Sequence, residues 1–324
     1  YQRLGGGQNT MQKNTSTIVA VIVVILIVGG LIWWGKSQTP TGPKETIKIG
    51  FVGPLSGDLA FIGESDKNAI LLAKDELKDT KFNYEVIVED VQIDPKLTAN
   101  ATNKLINIDK VDGIISVSSG IGNVVSPITE QNKTIHFGLA SDSNIAKGIY
   151  NFIHWTTPSE EVRAFVEELK NKNVKKLGVF RVNQQGVSAI DEELKQKLQG
   201  TGIEIVYNEV FNFGETNFRG LITKNKSKDV DLIFLNAFSP ELEILAKQIR
   251  EAGIKTPFTA IEAFEITEKT DLFEGDWYIN AADNTGEYNS KYLAKYNSDP
   301  KMTSGNAYDA FNLIVAATEK WKGK

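Results

Sequence analysis

Short apolar runs alternate with amphipathic segments along most of the chain. IKIGFVG (47–53) and YEVIVED (84–90) are rich in β-branched residues, which predicts strands. Between them, ESDKNAILLAKDELK (64–78) places its apolar residues at helical spacing, which predicts a helix with one buried face. Buried strands that alternate with helices are typical of a parallel sheet covered on both faces, so the predicted fold class is α/β.

The same βα unit repeats until the end of the chain, in two blocks of similar length. Further strands are predicted at 135–141, 175–182, 203–210, 231–237, 256–264 and 276–281, and further helices at 95–109, 158–172, 187–198, 217–224, 240–253 and 305–321. With 324 residues and 41% hydrophobic residues, the chain is long enough for two globular units.

The stretch Gly113 to Val125, GIISVSSGIGNVV, is the centre of the first block. Its apolar run ends at Ser118 and Ser119, and a helix is predicted to follow. The first N–H groups of a helix lack internal partners and the helix dipole is positive there, so this junction suits a carboxylate or phosphate. A plain helix cap explains the same residues, because small polar residues begin most helices.

Polar turns follow several of the other predicted strands. Carboxyl ends of parallel strands meet at one edge of a sheet, which is where such sheets bind ligands. The turns are Ser56-Gly57, Ser118-Ser119, Ala140-Ser141, Gln184-Gln185-Gly186, Phe238-Ser239 and Glu262. Their common position favours a ligand-binding cleft over isolated helix caps.

The segment from residue 18 to residue 35, IVAVIVVILIVGGLIWWG, contains about 18 residues without a charge, which is typical of a membrane-spanning helix. A cleaved signal peptide is the alternative, but signal cores usually have about 7–15 residues and a small-residue cleavage site. We therefore expect an uncleaved anchor over 15–36, with the globular part outside the cytoplasm. We also expect an N-terminal tail over 1–14, non-native over 1–10, and an extended linker over 37–45.

Composition excludes several classes of function. The net charge is −5 without a basic stripe, so we expect no nucleic-acid partner. The chain has no Cys, which excludes disulfides, thiolate metal sites and a Cys nucleophile. Its two histidines, His136 and His154, have no second His or acidic residue at helical spacing, so we expect them to pack rather than to bind a metal. No cofactor is predicted.

Three motifs resemble one known family in the same order. IKIGFVGPLSGDLAFIGE is similar to its first strand and loop, VEDVQIDPKLTANATNKLI to its acidic strand end and second helix, and LIFLNAFSPELEILAKQIREAGIKTPF to its second-lobe signature. The family is that of the type I periplasmic binding proteins of branched-chain amino-acid (Leu/Ile/Val) transport. The resemblance covers nearly all of residues 46–324.

The resemblance implies a two-lobed protein that holds an amino acid between its lobes. It assigns the ligand's carboxylate to Ser118 and Ser141, with backbone from Leu139 and with the adjacent Ser119 and Ala140 in the same two loops. It assigns the second-lobe aromatic ring to Phe238 and the acid that receives the ammonium to Glu262. Such a zwitterion site needs donors at one end and a carboxylate at the other.

The sequence departs from the family in three places near this site. Ile62 and Gly186 stand where relatives have aromatic rings, so we expect extra space and a ligand larger than or different from leucine. Asp142 would repel a ligand carboxylate unless its side chain points away. Relatives also continue beyond the helix that ends here near Lys324, so we expect a truncated C-terminus.

We expect a first lobe of residues 46–157 plus 283–324 and a second lobe of 158–282, joined by a hinge. The predicted function is non-enzymatic: an extracytoplasmic solute-binding protein that delivers an amino acid to an ABC transporter permease. One alternative is a sensor that reports the ligand to a membrane partner. The other is a dinucleotide-dependent enzyme, prompted by Gly120 and Gly122, although Val125 occupies the third glycine position of that motif.

Overall fold

Strands and helices alternate from residue 46 to residue 320 in the computed structural model, which describes residues 43–267 and 269–321. The predicted tail and anchor lie outside the described residues, as does the predicted linker up to residue 42. In the part of the chain that is described, no helix is both long and apolar enough to cross a membrane.

The first sheet has five parallel strands in the order β2-β1-β3-β4-β5. The strands are β1 (Thr46–Gly53), β2 (Asn83–Asp90), β3 (Gly113–Val117), β4 (Ile135–Leu139) and β5 (Asn151–Ile153). The helices between them are α1 (Ala60–Asp75), α2 (Pro95–Lys104) with a π-helical turn at Leu105–Asp109, and α3 (Ser119–Asn132).

The second sheet has five parallel strands in the order β7-β6-β8-β9-β10. Its strands are β6 (Lys176–Val182), β7 (Glu204–Phe211), β8 (Leu232–Asn236), β9 (Phe258–Ile261) and β10 (Trp277–Ile279). The remaining helices are α4 (Pro158–Asn171), α5 (Gln185–Lys197), α6 (Arg219–Asn225), α7 (Glu241–Glu251), α8 (Gly286–Tyr296) and α9 (Ser304–Lys320).

Both sheets therefore have the same topology. In each of them the first strand lies between the second and the third, so the chain leaves it in opposite directions. This reversal opens a crevice at the carboxyl ends of the strands, where open α/β sheets bind ligands. The loops after β1 and β3 border the crevice in the first sheet, and the loops after β6 and β8 border it in the second.

Helices on both faces explain the continuous apolar strands. β3 and β8 are buried at every residue, as expected for the inner strands of a covered parallel sheet. The last helix, α9, packs on α1 and buries Phe311 in the core of the first sheet. Two irregular segments, 154–157 and 280–285, connect the sheets; the predicted lobe boundaries fall in these segments and stay a prediction.

The start of α1 also differs from the prediction, because the helix begins at Ala60 rather than at residue 64. Its N-cap, Leu59, makes no side-chain capping bond, so no capping signal marks this start in the sequence. Instead the first turn packs on the loop after β1: a Cβ at Gly63 would lie 2.0 Å from the carbonyl oxygen of Pro54. Only glycine allows this close approach.

Candidate functional site

A cavity lies at the carboxyl ends of the strands of both sheets. All nine residues predicted for the ligand site line it: Ile62, Ser118, Ser119, Leu139, Ala140, Ser141, Gly186, Phe238 and Glu262. The structure thus brings these residues together around one cavity, and their binding roles stay a prediction. The cavity wall is mainly apolar, which is typical of small-molecule sites that orient a ligand with a few polar groups.

Ser118 begins the serine-lined end of the cavity. It is the N-cap of α3, and its hydroxyl accepts a hydrogen bond from the N–H of Ile121 at 3.4 Å. Its backbone has φ 74° and ψ 150°, a region that is almost restricted to glycine and costs about 1–3 kcal/mol for other residues. In this conformation the hydroxyl caps the first turn of α3.

Two more serines complete this end. The Ser119 hydroxyl accepts a hydrogen bond from the N–H of Asp142 at 3.3 Å. Ser141 is only 8% exposed and lines the cavity. A serine hydroxyl in the cavity wall can donate a hydrogen bond to a ligand.

Asp142 does not oppose an anion at this end. One carboxylate oxygen accepts hydrogen bonds from the N–H and the side-chain amide of Asn144, at 2.9 and 2.8 Å. The other accepts a hydrogen bond from the side-chain amide of Asn123 at 2.7 Å. The carboxylate therefore caps the short helix Ser143–Ala146 and does not line the cavity.

Gly186 does not leave the extra space that the sequence analysis expected. It lies in the first turn of α5, where a Cβ would meet the hydroxyl of Ser119 at 2.9 Å and that of Ser141 at 3.4 Å. The second sheet's helix therefore approaches the first sheet's serines directly. The absence of a side chain allows close contact between the lobes here, rather than room for a larger ligand.

Glu262 forms the opposite, acidic end of the cavity. It follows β9 with a φ of 61°, again unusual for a residue other than glycine. Its N–H donates to the carbonyl of Ile279 at 2.7 Å, which ties the strained residue to β10. The indole N–H of Trp155 donates to one of its carboxylate oxygens, so a residue next to the first sheet orients an acid of the second.

A second carboxyl lies behind Glu262. Glu161, in the first turn of α4, is 2% exposed, and neither of its carboxyl oxygens accepts a hydrogen bond from a described residue. Burial, and then the neighbouring Glu262 carboxylate, raises the pKa of Glu161 far above the usual range of a glutamate. The acidic end thus consists of two carboxyls, of which only Glu262 lines the cavity.

Aromatic rings cover the second sheet's side of the cavity. Phe238 lies parallel to Phe213, with ring centroids 6.1 Å apart and planes 8° apart. Phe213 is 45% exposed and lies just beyond β7, a strand end that the sequence analysis did not select. On the first sheet's side, Ile62 belongs both to the core and to the cavity wall.

Three further polar or aromatic residues, which were not predicted, line the cavity. One of them, Asn236, is the last residue of β8 and follows the same pattern of strand ends as Gln184, the N-cap of α5, which belongs to a predicted turn. Nothing in the local sequence marks Trp155 or Thr303, because their place depends on how the two sheets meet.

The two histidines have different surroundings. His136, in β4, is fully buried between the Ser116 hydroxyl and the side-chain oxygen of Asn151, each 2.8 Å from a ring nitrogen. Burial lowers the pKa of His136 to about 4, so the ring is neutral. His154 lies 3.9 Å from Asp309. Among the described residues, no group of three His, Asp or Glu side chains is placed to hold a metal.

Of the two glycines that prompted the dinucleotide alternative, Gly122 has a packing role. A Cβ at Gly122 would lie 2.5 Å from Ile145, so this glycine lets α3 approach the short helix Ser143–Ala146. A Cβ at Gly120 would make an ordinary contact of 3.6 Å with Ile93. Close packing therefore accounts for Gly122 without a nucleotide phosphate.

Comparison with known proteins identifies the family. The family model described as periplasmic binding protein matches residues 46–323. The Leu/Ile/Val-binding protein BraC3 of Rhizobium johnstonii is 28% identical over 291 residues, which cover 85% of this chain and 79% of that protein.

Solved structures show the same fold. The substrate-binding protein LivJ of Streptococcus pneumoniae, in complex with isoleucine, aligns with a TM-score of 0.77 and 25% identity over 86% of this chain and 85% of its own. A solute-binding protein of Rhodopseudomonas palustris, in complex with 4-hydroxybenzoate, aligns with a TM-score of 0.75 and 20% identity over 86% and 82%. The chain belongs to the type I periplasmic binding proteins, in the branched-chain amino-acid family of substrate-binding proteins.

Proposed function

We propose that this protein captures an amino acid in the cleft between its two sheets and delivers it to an ABC transporter. The observation that carries the proposal is the chemistry of one cavity. Ser118 and Ser141 line it from the first sheet, and Glu262 lines it from the second. A zwitterion matches this arrangement, with its carboxylate at the serines and its ammonium at the acid.

The serine-lined end suits a carboxylate for two reasons. Hydroxyl and N–H donors cluster there, and the positive end of the α3 dipole faces them. The ligands of two similar structures also share a carboxylate group, since isoleucine and 4-hydroxybenzoate both carry one.

The acidic end separates these two ligand types. An aromatic acid brings no cation, and Glu262 would then remain as an uncompensated charge in a closed cavity, which costs several kcal/mol by the usual penalty for breaking a buried pair. An α-ammonium compensates that charge. The acid therefore favours an amino acid over a benzoate.

Contacts between the lobes favour a closing motion around the ligand. The side-chain amide of Asn123, in α3, donates to Gln185, in α5, at 2.9 Å, and Trp155 bonds to Glu262 across the cleft. A ligand that contacts both lobes stabilises the closed form, which is the usual mechanism of hinge closure. No bond-making step is part of this function.

Calorimetry against the twenty standard amino acids and 4-hydroxybenzoate tests the ligand class. We expect binding of an aliphatic amino acid and none of the benzoate. The proposal would be contradicted if only the benzoate bound, or if a folded protein gave no binding heat with any of these compounds. A transport assay in cells with and without the gene then separates delivery from sensing, because a pure sensor leaves uptake unchanged.

We also propose that residues 15–36 anchor the protein in the membrane with the globular part outside the cytoplasm. The support is the uncharged run of the sequence. A C-terminal reporter that external protease removes from intact cells, while the protein stays in the membrane fraction, is the expected result. A reporter protected from protease, or a protein released into the medium, would contradict it.

A further inference from the structure

Glu161 is the buried polar group that the proposed ligand clamp does not use directly. Its side chain lies under the acidic end of the cavity and is 2% exposed. Both carboxyl oxygens are buried, and no described N–H or O–H group donates to them. An ionised carboxylate in such a place would pay the full cost of burial without compensation.

The groups that face Glu161 are also acidic. Burial raises the pKa of Glu161 most; the charge of Glu262, in the loop after β9, and a hydrogen bond to it raise that pKa further, and Glu160 of α4 adds a second negative charge. Glu160 is exposed and already bonded to Thr157 in the capping box at the start of α4.

Two ionised carboxylates cannot bond to each other, because both are acceptors. A hydrogen bond between Glu161 and Glu262 therefore requires one proton between them. The proton resides on Glu161, because it is the more buried of the two and Glu262 has the indole N–H of Trp155 as a donor.

We propose that Glu161 is a neutral carboxylic acid that donates its proton to Glu262 and thereby positions that carboxylate for the ammonium of the ligand. The inference rests on the proposed role of Glu262. Trp155 and Glu161 would then hold Glu262 from two sides and leave its remaining lone pairs to the cavity. The pair carries one negative charge, which matches a ligand with one ammonium group and not a diamine.

Burial of this kind raises the pKa of Glu161 well above neutrality. The proton can therefore be observed without any ligand. In the full-length protein, the ¹³C shift of the Glu161 carboxyl, assigned by its loss in Glu161→Gln, should stay at the protonated value from about pH 5 to about pH 8. A titration near the usual value of a glutamate would overturn the proposal.

Substitutions test the positioning role with L-isoleucine as the probe. Glutamine keeps a neutral donor of the same shape, so Glu161→Gln should bind within about threefold of wild type. Glu161→Leu removes the donor and should weaken binding roughly tenfold or more. Glu167→Gln, an exposed change on the same helix, is the matched control and should have no effect.

A double-mutant cycle shows whether Glu161 acts through Glu262. In a Glu262→Gln background, Glu161→Leu should have little further effect, because the group it positions is already neutral. The proposal would be overturned by any of three results. Glu161→Leu could weaken L-isoleucine binding equally in both backgrounds, Glu161→Gln could bind as weakly as Glu161→Leu, or ligand binding could release a proton. If wild type binds no amino acid, the proposed function fails, and the carboxyl shift still decides the state of Glu161.

Discussion

The two ends of the cavity lie on sheets of the same topology, yet their chemistry is opposite. The end on the first sheet consists of neutral hydroxyls beside a helix N-terminus, and the end on the second sheet consists of carboxyls. Each end also carries a residue in a backbone region that favours glycine, Ser118 with φ 74° and Glu262 with φ 61°. The shared sheet order positions the loops, and the loop residues decide which charge each end accepts.

The buried residues behind the two ends of the cavity also differ. A buried neutral histidine, bonded to Ser116 and Asn151, lies in the strand that leads to Ser141. A buried glutamate lies behind Glu262. Protonation would charge His136, whereas deprotonation would charge Glu161, so acid and base should act on different ends of the site.

The largest effect should come from Glu262→Gln, which removes the charge of the acidic end. The ammonium of a bound amino acid would then be buried without a counter-charge, at a cost of about 3–5 kcal/mol, or roughly a hundredfold to a few thousandfold in affinity. Calorimetry with L-isoleucine measures the loss.

The exposed substitution Glu274→Gln in the same sheet's loops is the control for Glu262→Gln. A loss below tenfold would mean that the ammonium binds elsewhere and that the two ends do not divide the charges of the ligand.

The sequence predicts those features of the site that depend on neighbouring residues, and it fails for those that depend on residues far away along the chain. The strands, and the turns that follow them, result from local apolar runs and small polar residues, so Ser118, Ser141 and Glu262 could be placed at one edge. Trp155 could not, because its bond to Glu262 joins residues 107 positions apart. Gly186 was misinterpreted for the same reason: the space at that position depends on Ser119 of the other lobe.

A pH series on folding stability tests whether His136, which lies behind the serine-lined end, is neutral in the folded protein. The pKa of His136 falls from 6.5 to about 4 on folding. Well above pH 6.5, His136 is neutral in the folded and in the unfolded protein, so its ionisation does not lower the stability. As the pH falls towards 4, His136 takes up a proton in the unfolded protein first, which favours unfolding. The free energy of unfolding should therefore decrease by about 3 kcal/mol over this range from His136 alone.

Urea unfolding of wild type and His136→Gln at several pH values measures this contribution. The variant should start from a lower stability because it loses the bonds to Ser116 and Asn151, but its slope with pH should be shallower. Equal slopes would show that folding does not lower the pKa of His136.

Ser118→Ala and Ser118→Gly separate binding from backbone strain at the serine-lined end. Both remove the hydroxyl, so both should weaken L-isoleucine binding by roughly tenfold. Alanine retains the strain at φ 74°, whereas glycine relieves it, so the glycine variant should be more stable than the alanine variant by about 1 kcal/mol. Equal stabilities in urea unfolding would contradict the strain, and unchanged affinities would contradict the role of the hydroxyl.

Gly186→Ala should have the smallest effect and tests whether the two ends must come together for binding. The added Cβ would lie 2.9 Å from the Ser119 hydroxyl, so the hydroxyl or the two lobes must shift to admit it. We expect a loss of about threefold to fivefold in affinity without a loss of folding stability, because closure becomes less favourable while each lobe remains intact. Gly220→Ala, where a Cβ meets open space, is the matched control. An unchanged affinity would mean that the ligand-bound cleft is wider at this end than the structure has it, and that the serine-lined end binds its anion without the second lobe.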